Sequence, residues 1–337
     1  KSRHHGIRNG LLKWIASFLS NRIQEVLVEG HTSEPAPVTS GVPQGSILGP
    51  LLFLLYINDM PGRVASTNRL FADGSLLYRK NRTAQDTDIL QKDLTKLEQW
   101  EKDWQMQFNP SKCETIHITR KRNPIRRTYV LHGHHLTDAT SGKYLGVTLH
   151  EKLLWNRQVD DVSKKANNSL AFLRRNVTSC PKDVKAQCYK TLVHPILEYA
   201  SPVWDPYTAS NITQLEAVQR RAARFVMGDY RTTSSTSQMI ATLGWPTLQQ
   251  RRTDARLVLM YRIIHNLIDI PASLYLHPAN VSLQRRRNVC FLVPFCRTDM
   301  YRHSFFPVAI RLWNQLPAPI ATAETLDSFK AGLATQH

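Results

Sequence analysis

At 337 residues with 42% hydrophobic side chains, the chain has apolar material for one large core or roughly two to three smaller ones, which excludes an intrinsically disordered polypeptide. Its 44 Lys and Arg against 26 Asp and Glu give a formal charge of +18, a balance that favours a polyanionic partner, nucleic acid first. The apolar run over 47–57 is far shorter than the roughly 20 residues of a membrane span, so no membrane partner is expected.

In chain order, a helix is expected over 10–19, where Leu11, Leu12, Trp14, Ile15, Phe18 and Leu19 recur at helical spacing, then a strand over 24–29. After a loop with Pro35 and Pro37, the turn formers of 40–46 lead into an apolar, buried helix over 47–58. The segment 69–78 reads as two short buried strands joined by a two-residue Asp73-Gly74 turn. An amphipathic helix over 86–105 places Ile89, Leu90, Leu94, Leu97, Trp100 and Trp104 on one stripe, with charge elsewhere. Strands are expected over 113–119, 129–133 and 143–149, the last with a central Gly146. From residue 159 the pattern is helical, over 159–175, 182–199, 212–225, 237–243 and 248–268. A less regular tail follows Pro271, with one short helix over 306–313.

Five cysteines, Cys113, Cys180, Cys188, Cys290 and Cys296, are an odd and irregularly spaced set in a chain too large to need covalent staples. A reducing intracellular compartment fits them. Cys290, Cys296 and His303 lack the CxxC-type pairing of a zinc site, so core or surface filling is the simpler reading.

Four short segments carry the chemistry. Phe71-Ala72-Asp73-Gly74 taken alone is an ordinary Asp-Gly turn. Upstream stand Gly41-Val42-Pro43-Gln44-Gly45 and the apolar helix to Asp59, and downstream Phe108-Asn109-Pro110-Ser111-Lys112 and Lys143-Tyr144-Leu145-Gly146. In this conjunction the chain closely resembles the reverse transcriptase domain of non-LTR, LINE-like retrotransposons. Residues 38–59 resemble that family's motif B, 71–73 motif C, 108–112 motif D and 143–149 motif E. Leu197-Glu198-Tyr199-Ala200-Ser201-Pro202-Val203-Trp204-Asp205 and Gln219-Arg220-Arg221-Ala222-Ala223-Arg224 resemble its downstream region.

The resemblance implies an α+β, right-hand polymerase: a palm and fingers remnant with an antiparallel sheet, a helical thumb and a helical C-terminal extension. The corresponding divisions are 1–150, 151–235 and 236–337. It implies an RNA template, a DNA primer and Mg²⁺, with Asp73 as a metal ligand. Gly41, Pro43, Gln44 and Gly45 would lie against the nucleotide and template, where small residues let a base pair come close. Lys112 would protonate the leaving pyrophosphate, although a solvated loop lysine explains it equally. Tyr144, Leu145 and Gly146 would grip the primer end. Lys164, Lys165, Arg174 and Arg175 would contact the duplex backbone, a reading that charge alone does not separate from a wet helix face.

Two departures point to a chain that does not polymerise as written. The family has a second aspartate where this chain has Gly74, and its motif A aspartate would fall before Lys1. A strand lost from the palm sheet would leave an open edge, and one carboxylate does not make a two-metal site. The rival expectation is a catalytically dead nucleic-acid-binding module or a vestigial product.

Overall fold

The computed structural model describes residues 6–279 and 290–335. The chain divides into two compact units, Lys1–Ala139 and Thr140–His337. The architecture is α+β: two-stranded sheets and helices alternate up to His150, and the rest is largely helical.

The first unit is organised by its longest helix, Ala84–Trp104, which begins in a capping box made by Thr83 and Asp86 and ends at Gln105, whose φ of 52° is left-handed. Leu97 and Trp100 pack with Ile57 and Met60, while Leu90 and Leu94 lie against Tyr129, Leu131 and Leu136. The expected apolar stripe is therefore present, but charge is not confined to the other face. Asp93 and Glu101 are buried on the same helix, each holding a connecting segment. The Asp93 carboxylate accepts the backbone N–H of Ala65 at 3.0 Å and of Ser66 at 2.7 Å, and Glu101 accepts that of Phe108.

Four sequence expectations change here. The apolar helix, Leu48–Ile57, is not buried throughout: Gly49, Leu52 and Ile57 are, but Leu51 and Leu54 stay about half exposed. It is apolar on every side, and only one stripe of a helix meets a given core. The strand expected over 113–119 shortens to Glu114–Thr115, paired in parallel with Thr137–Asp138, and 129–133 yields only Val130–Leu131, paired with His134–His135. The hairpin over 67–78 turns one residue earlier than expected. Its strands, Thr67–Phe71 and Gly74–Tyr78, pair Phe71 with Gly74, so Ala72 and Asp73 form the loop and Gly74 opens the second strand. This register sets Asn68, which is buried, opposite Leu77 and lets its Oδ1 accept the Ser75 hydroxyl at 2.7 Å. The strands are largely exposed, with Leu70 and Leu77 turned to the core.

In the second unit an antiparallel hairpin, Ser141–Tyr144 and Val147–His150, precedes the helix Asn156–Asn176. The segment read as one helix over 182–199 is two, Lys182–Leu192 and His194–Glu198. Pro195, at the start of the second, has no N–H to continue the ladder. The tail is more regular than its composition suggested. Helices Phe305–Asn314 and Leu326–Ala334 bury Trp313, Phe329 and Leu333 against Met260 and Tyr261 of Leu248–Ile264.

A buried ion cluster ties this unit together. Asp205 accepts Arg252 Nε at 2.8 Å and lies 2.9 Å from Arg256 Nη2, with Arg252 only 1% exposed. Burial pushes the Arg256 guanidinium down from its ordinary value, and the Asp205 carboxylate opposes that. Removing one partner of a buried ion cluster strands the others without water or countercharge. Asp205→Ala should therefore lower the unfolding free energy by about 3–5 kcal/mol, read as a shift of the denaturant midpoint of the full chain.

Candidate active-site hairpin and nucleic-acid interface

The loop 40–46 is fixed from both ends. The Arg22 guanidinium donates to the carbonyls of Ser40 (3.0 Å) and Gly41 (2.7 Å), and its Nε to that of Leu19 (3.1 Å). At the other end the Ser46 hydroxyl donates to Pro43 O at 2.8 Å and accepts the N–H of Gly49 at 3.0 Å, closing the turn onto the helix that follows. Gly41 and Gly45 have φ of 76° and 79°, left-handed values that favour glycine. Gln44 between them is exposed.

Sequence reasoning missed Gly49. A Cβ there would stand 2.7 Å from the Pro43 carbonyl oxygen, closer than real contacts allow. Only a residue without a side chain lets the loop lie down on this helix. Gly49→Ala is expected to cost about 1–3 kcal/mol of stability by overpacking, measured by denaturant unfolding.

Asp73 sits at the exposed tip of the hairpin, after Ala72, whose φ of 48° makes the turn. Gly74 next to it is not left-handed. A Cβ there would approach the Phe71 carbonyl oxygen at 3.2 Å, a tight contact that a small backbone shift relieves. The root of the hairpin is held by Asp93 through Ala65 and Ser66. Within the described residues Gly74–Tyr78 pairs only with Thr67–Phe71, and a cleft of about 670 Å³ lies at the root of this hairpin, lined by Ser66, Thr67, Tyr78, Lys80, Ile116 and Lys121.

Lys112 is exposed at the end of the short 3₁₀ turn Pro110–Lys112, which Asn109 organises by accepting the N–H of Ser111 at 3.1 Å. Gln44, Asp73 and Lys112 all belong to the first unit, yet no hydrogen bond or ion pair among the described residues links them. Those residues also hold no group of three or more His, Cys, Asp or Glu able to bind a metal ion. A pair of Mg²⁺ ions needs carboxylates from more than one strand. Asp73 beside Gly74 does not fit that donor set.

The second unit joins two segments that the sequence kept apart. The hairpin over 141–150 turns at Leu145 and Gly146, with φ of 46° and 82°. The Tyr199 hydroxyl donates to Leu145 O at 2.9 Å, and its ring lies where a Cβ on Gly146 would come within 3.1 Å. The hairpin is also fastened to the Asn156–Asn176 helix: Gln158 accepts the N–H of Thr148 at 2.8 Å, and Arg157 donates to the Ser141 hydroxyl at 2.6 Å. The segment 197–205 proves to be a structural hub. Leu197, Ser201 and Trp204 are buried, Glu198 pairs with Arg251, Tyr199 clamps the turn, and Asp205 holds Arg252 and Arg256.

Lys164, Lys165, Arg174 and Arg175 are all exposed on Asn156–Asn176, but they do not share one face. At 100° per residue Lys164 and Arg175 align, whereas Arg174 turns aside to place its guanidinium 5.3 Å from the ring centre of Tyr230. Within the segment 219–224, Arg221 donates to Asn167 at 3.0 Å and Arg224 caps the carbonyls of Arg231 and Ser234, so these two cations serve the fold.

Residues 2–149 match the family described as reverse transcriptase (RNA-dependent DNA polymerase). By sequence these residues are reverse-transcriptase-like. Similarity reaches beyond it: the chain is 28% identical over 228 residues to the RNA-directed DNA polymerase from mobile element jockey of Drosophila melanogaster, covering 64% of this chain and 25% of that protein. It is 30% identical over 230 residues to the probable RNA-directed DNA polymerase from transposon BS of the same fly, covering 64% and 25%. The corresponding figures for the probable enzyme from transposon X-element are 29% over 228 residues, 65% and 25%. The chain thus spans about a quarter of the length of these curated relatives. The expected likeness to reverse transcriptases is thus present over residues 2–149 at the level of the family match. No helix among the described residues is long and apolar enough to cross a membrane.

Two carboxylates give this domain a distinct acid limit. Burial opposes ionisation of Asp93, but the N–H groups of Ala65 and Ser66 and the Lys96 ammonium hold it below the ordinary range. The N–H groups of Arg82 and Thr83 take Asp86 down to about 2. A depressed folded pKa contributes stability that is complete above the unfolded value of about 3.9 and is lost as pH falls through the folded one. Unfolding midpoints should therefore drop steeply between pH of about 4 and about 2, and Asp93→Asn should flatten part of that limb. An unchanged pH profile in the variant would remove Asp93 from this role.

Proposed function

We propose that this chain is the polymerase-side portion of an RNA-directed DNA polymerase of a non-LTR retrotransposon, one that holds RNA template and DNA primer but does not extend the primer as written. In this reading the divisions 1–150, 151–235 and 236–337 are fingers and palm, thumb, and extension. Gly41, Pro43, Gln44 and Gly45 face the nucleotide and template, Tyr144 to Gly146 grip the primer end, and Lys164, Lys165, Arg174 and Arg175 neutralise backbone phosphates. Lys112 stands by the triphosphate.

The observation that carries the negative half is at the hairpin tip. Asp73 is exposed with Gly74 beside it, and among the described residues no group of three or more His, Cys, Asp or Glu stands around it. The positive half rests on the domain match and on a net charge of +18. The family reaction uses Mg²⁺ to stabilise the charge of nucleotidyl transfer. This chain's own residues contribute positioning: a loop fixed by Arg22 and Ser46, and a hairpin turn clamped by Tyr199.

Primer extension on an RNA template with Mg²⁺ and deoxynucleoside triphosphates, run beside a binding assay on the same primer-template, tests both halves. The chain is expected to bind, with affinity falling as salt rises by a slope of roughly 0.9 per phosphate neutralised, and to give no extension. Extension would overturn the claim of inactivity. Gly74→Asp should fold, since the contact with Phe71 O needs only a small shift, and extension by that variant alone would locate the defect at residue 74.

A further inference from the structure

The outer face of Asn156–Asn176 carries one residue that neither the core nor a phosphate-binding role explains. Phe172 is 54% exposed. The buried stripe of this helix is complete without it, built from Val159, Val162, Ala166, Leu170 and Leu173. Its neighbours one and two turns away on its own face are Lys165, Asn168, Ser169, Arg175 and Asn176, all of them polar and all but the half-buried Ser169 exposed. A helix-in-groove protein partner would require further apolar residues at these spacings, and this face has none.

Charge identifies the occupant. From residue 162 to 176 the helix holds Lys164, Lys165, Arg174 and Arg175 and no carboxylate. The two acids just before, Asp160 and Asp161, are engaged by Gln214 Nε2 at 2.8 Å and the Thr148 hydroxyl at 3.1 Å. Lys165 lies about 10 Å along the axis on one side of Phe172 and Arg175 about 4.5 Å on the other. A flat ring with cations on either side suits a polyanion that presents bases. Paired bases hide their faces within the duplex stack, whereas unpaired ones stack on aromatic rings and leave their phosphates to the cations.

We propose that Phe172 is a stacking platform for an unpaired base, flanked by Lys165 and Arg175, so that this face of the helix holds single-stranded nucleic acid. The inference rests on the nucleic-acid-binding reading above and names the strand state it takes at this face.

The test uses the full chain and three labelled probes: oligouridylate, oligothymidylate and a blunt RNA–DNA hybrid. Phe172→Leu keeps apolar volume without a ring, and Phe172→Trp keeps a ring. The Leu variant is expected to bind the single strands about tenfold more weakly, the Trp variant to match the parent, and hybrid binding to stay level in both. The slope of affinity against salt should not change, because no phosphate contact is removed. Loss on oligouridylate alone or oligothymidylate alone supports the platform and tells RNA from DNA. Equal single-strand binding by the Leu variant and the parent overturns it, as does equal loss on all three probes. A parent that binds only the hybrid sinks this inference and spares the proposed function; a parent that binds no probe sinks both.

Discussion

One carboxylate faces two buried guanidinium groups at the junction of the second unit's two cores. The helix Leu248–Ile264 gives Leu248 to one core and Leu257, Met260, Tyr261 and Ile263 to the other. Arg252 and Arg256 lie on the stretch between. Without Asp205 that stretch would bury two cations between apolar surfaces, a cost of several kcal/mol per ion. Asp205 ends the segment 197–205, whose Trp204 is fully buried and whose Tyr199 holds the hairpin turn at Leu145. The position of that turn, and of the long cationic helix bonded to its hairpin, therefore depends on an ion cluster distant from either in sequence.

The first unit uses a buried acid too, Asp93, with the Lys96 ammonium 3.4 Å away. Asp93 takes the place of a missing strand partner for the backbone at Ala65 and Ser66. Burial alone would favour its neutral form, and the hydrogen bonds reverse that preference. Asp93 holds a connecting segment through two backbone N–H groups, whereas Asp205 holds a helix through two guanidinium groups.

Helices were legible in the sequence wherever an apolar stripe ran for several turns, as over Ala84–Trp104 and Asn156–Asn176. What was not legible came from contacts distant in sequence. The register of the 67–78 hairpin is set by Asn68 and Ser75, which outweigh the local Asp-Gly turn preference. The helix at Leu326–Ala334 was signalled by Thr325 and Ser328 and by Phe329 and Leu333 four residues apart, a pattern obscured by Pro317 and Pro319 shortly before it. Asp93 had a signal too: it lies four residues from both Ile89 and Leu97, in the middle of the apolar stripe. The motif segments were visible as residue strings, but the clamp of Tyr199 on Gly146 and the need for glycine at 49 follow only from the folded backbone.

The hairpin that carries Asp73 behaves as a lever. Its strand of five residues, Thr67–Phe71, is about 17 Å long, fixed at the root by Asp93 and exposed at the tip. A rotation of about three degrees at the root moves such a tip by about 1 Å, more than the roughly 0.5 Å that a productive site tolerates. The aim of the tip carboxylate is thereby governed at the far end of the strand, in the two N–H groups that Asp93 accepts.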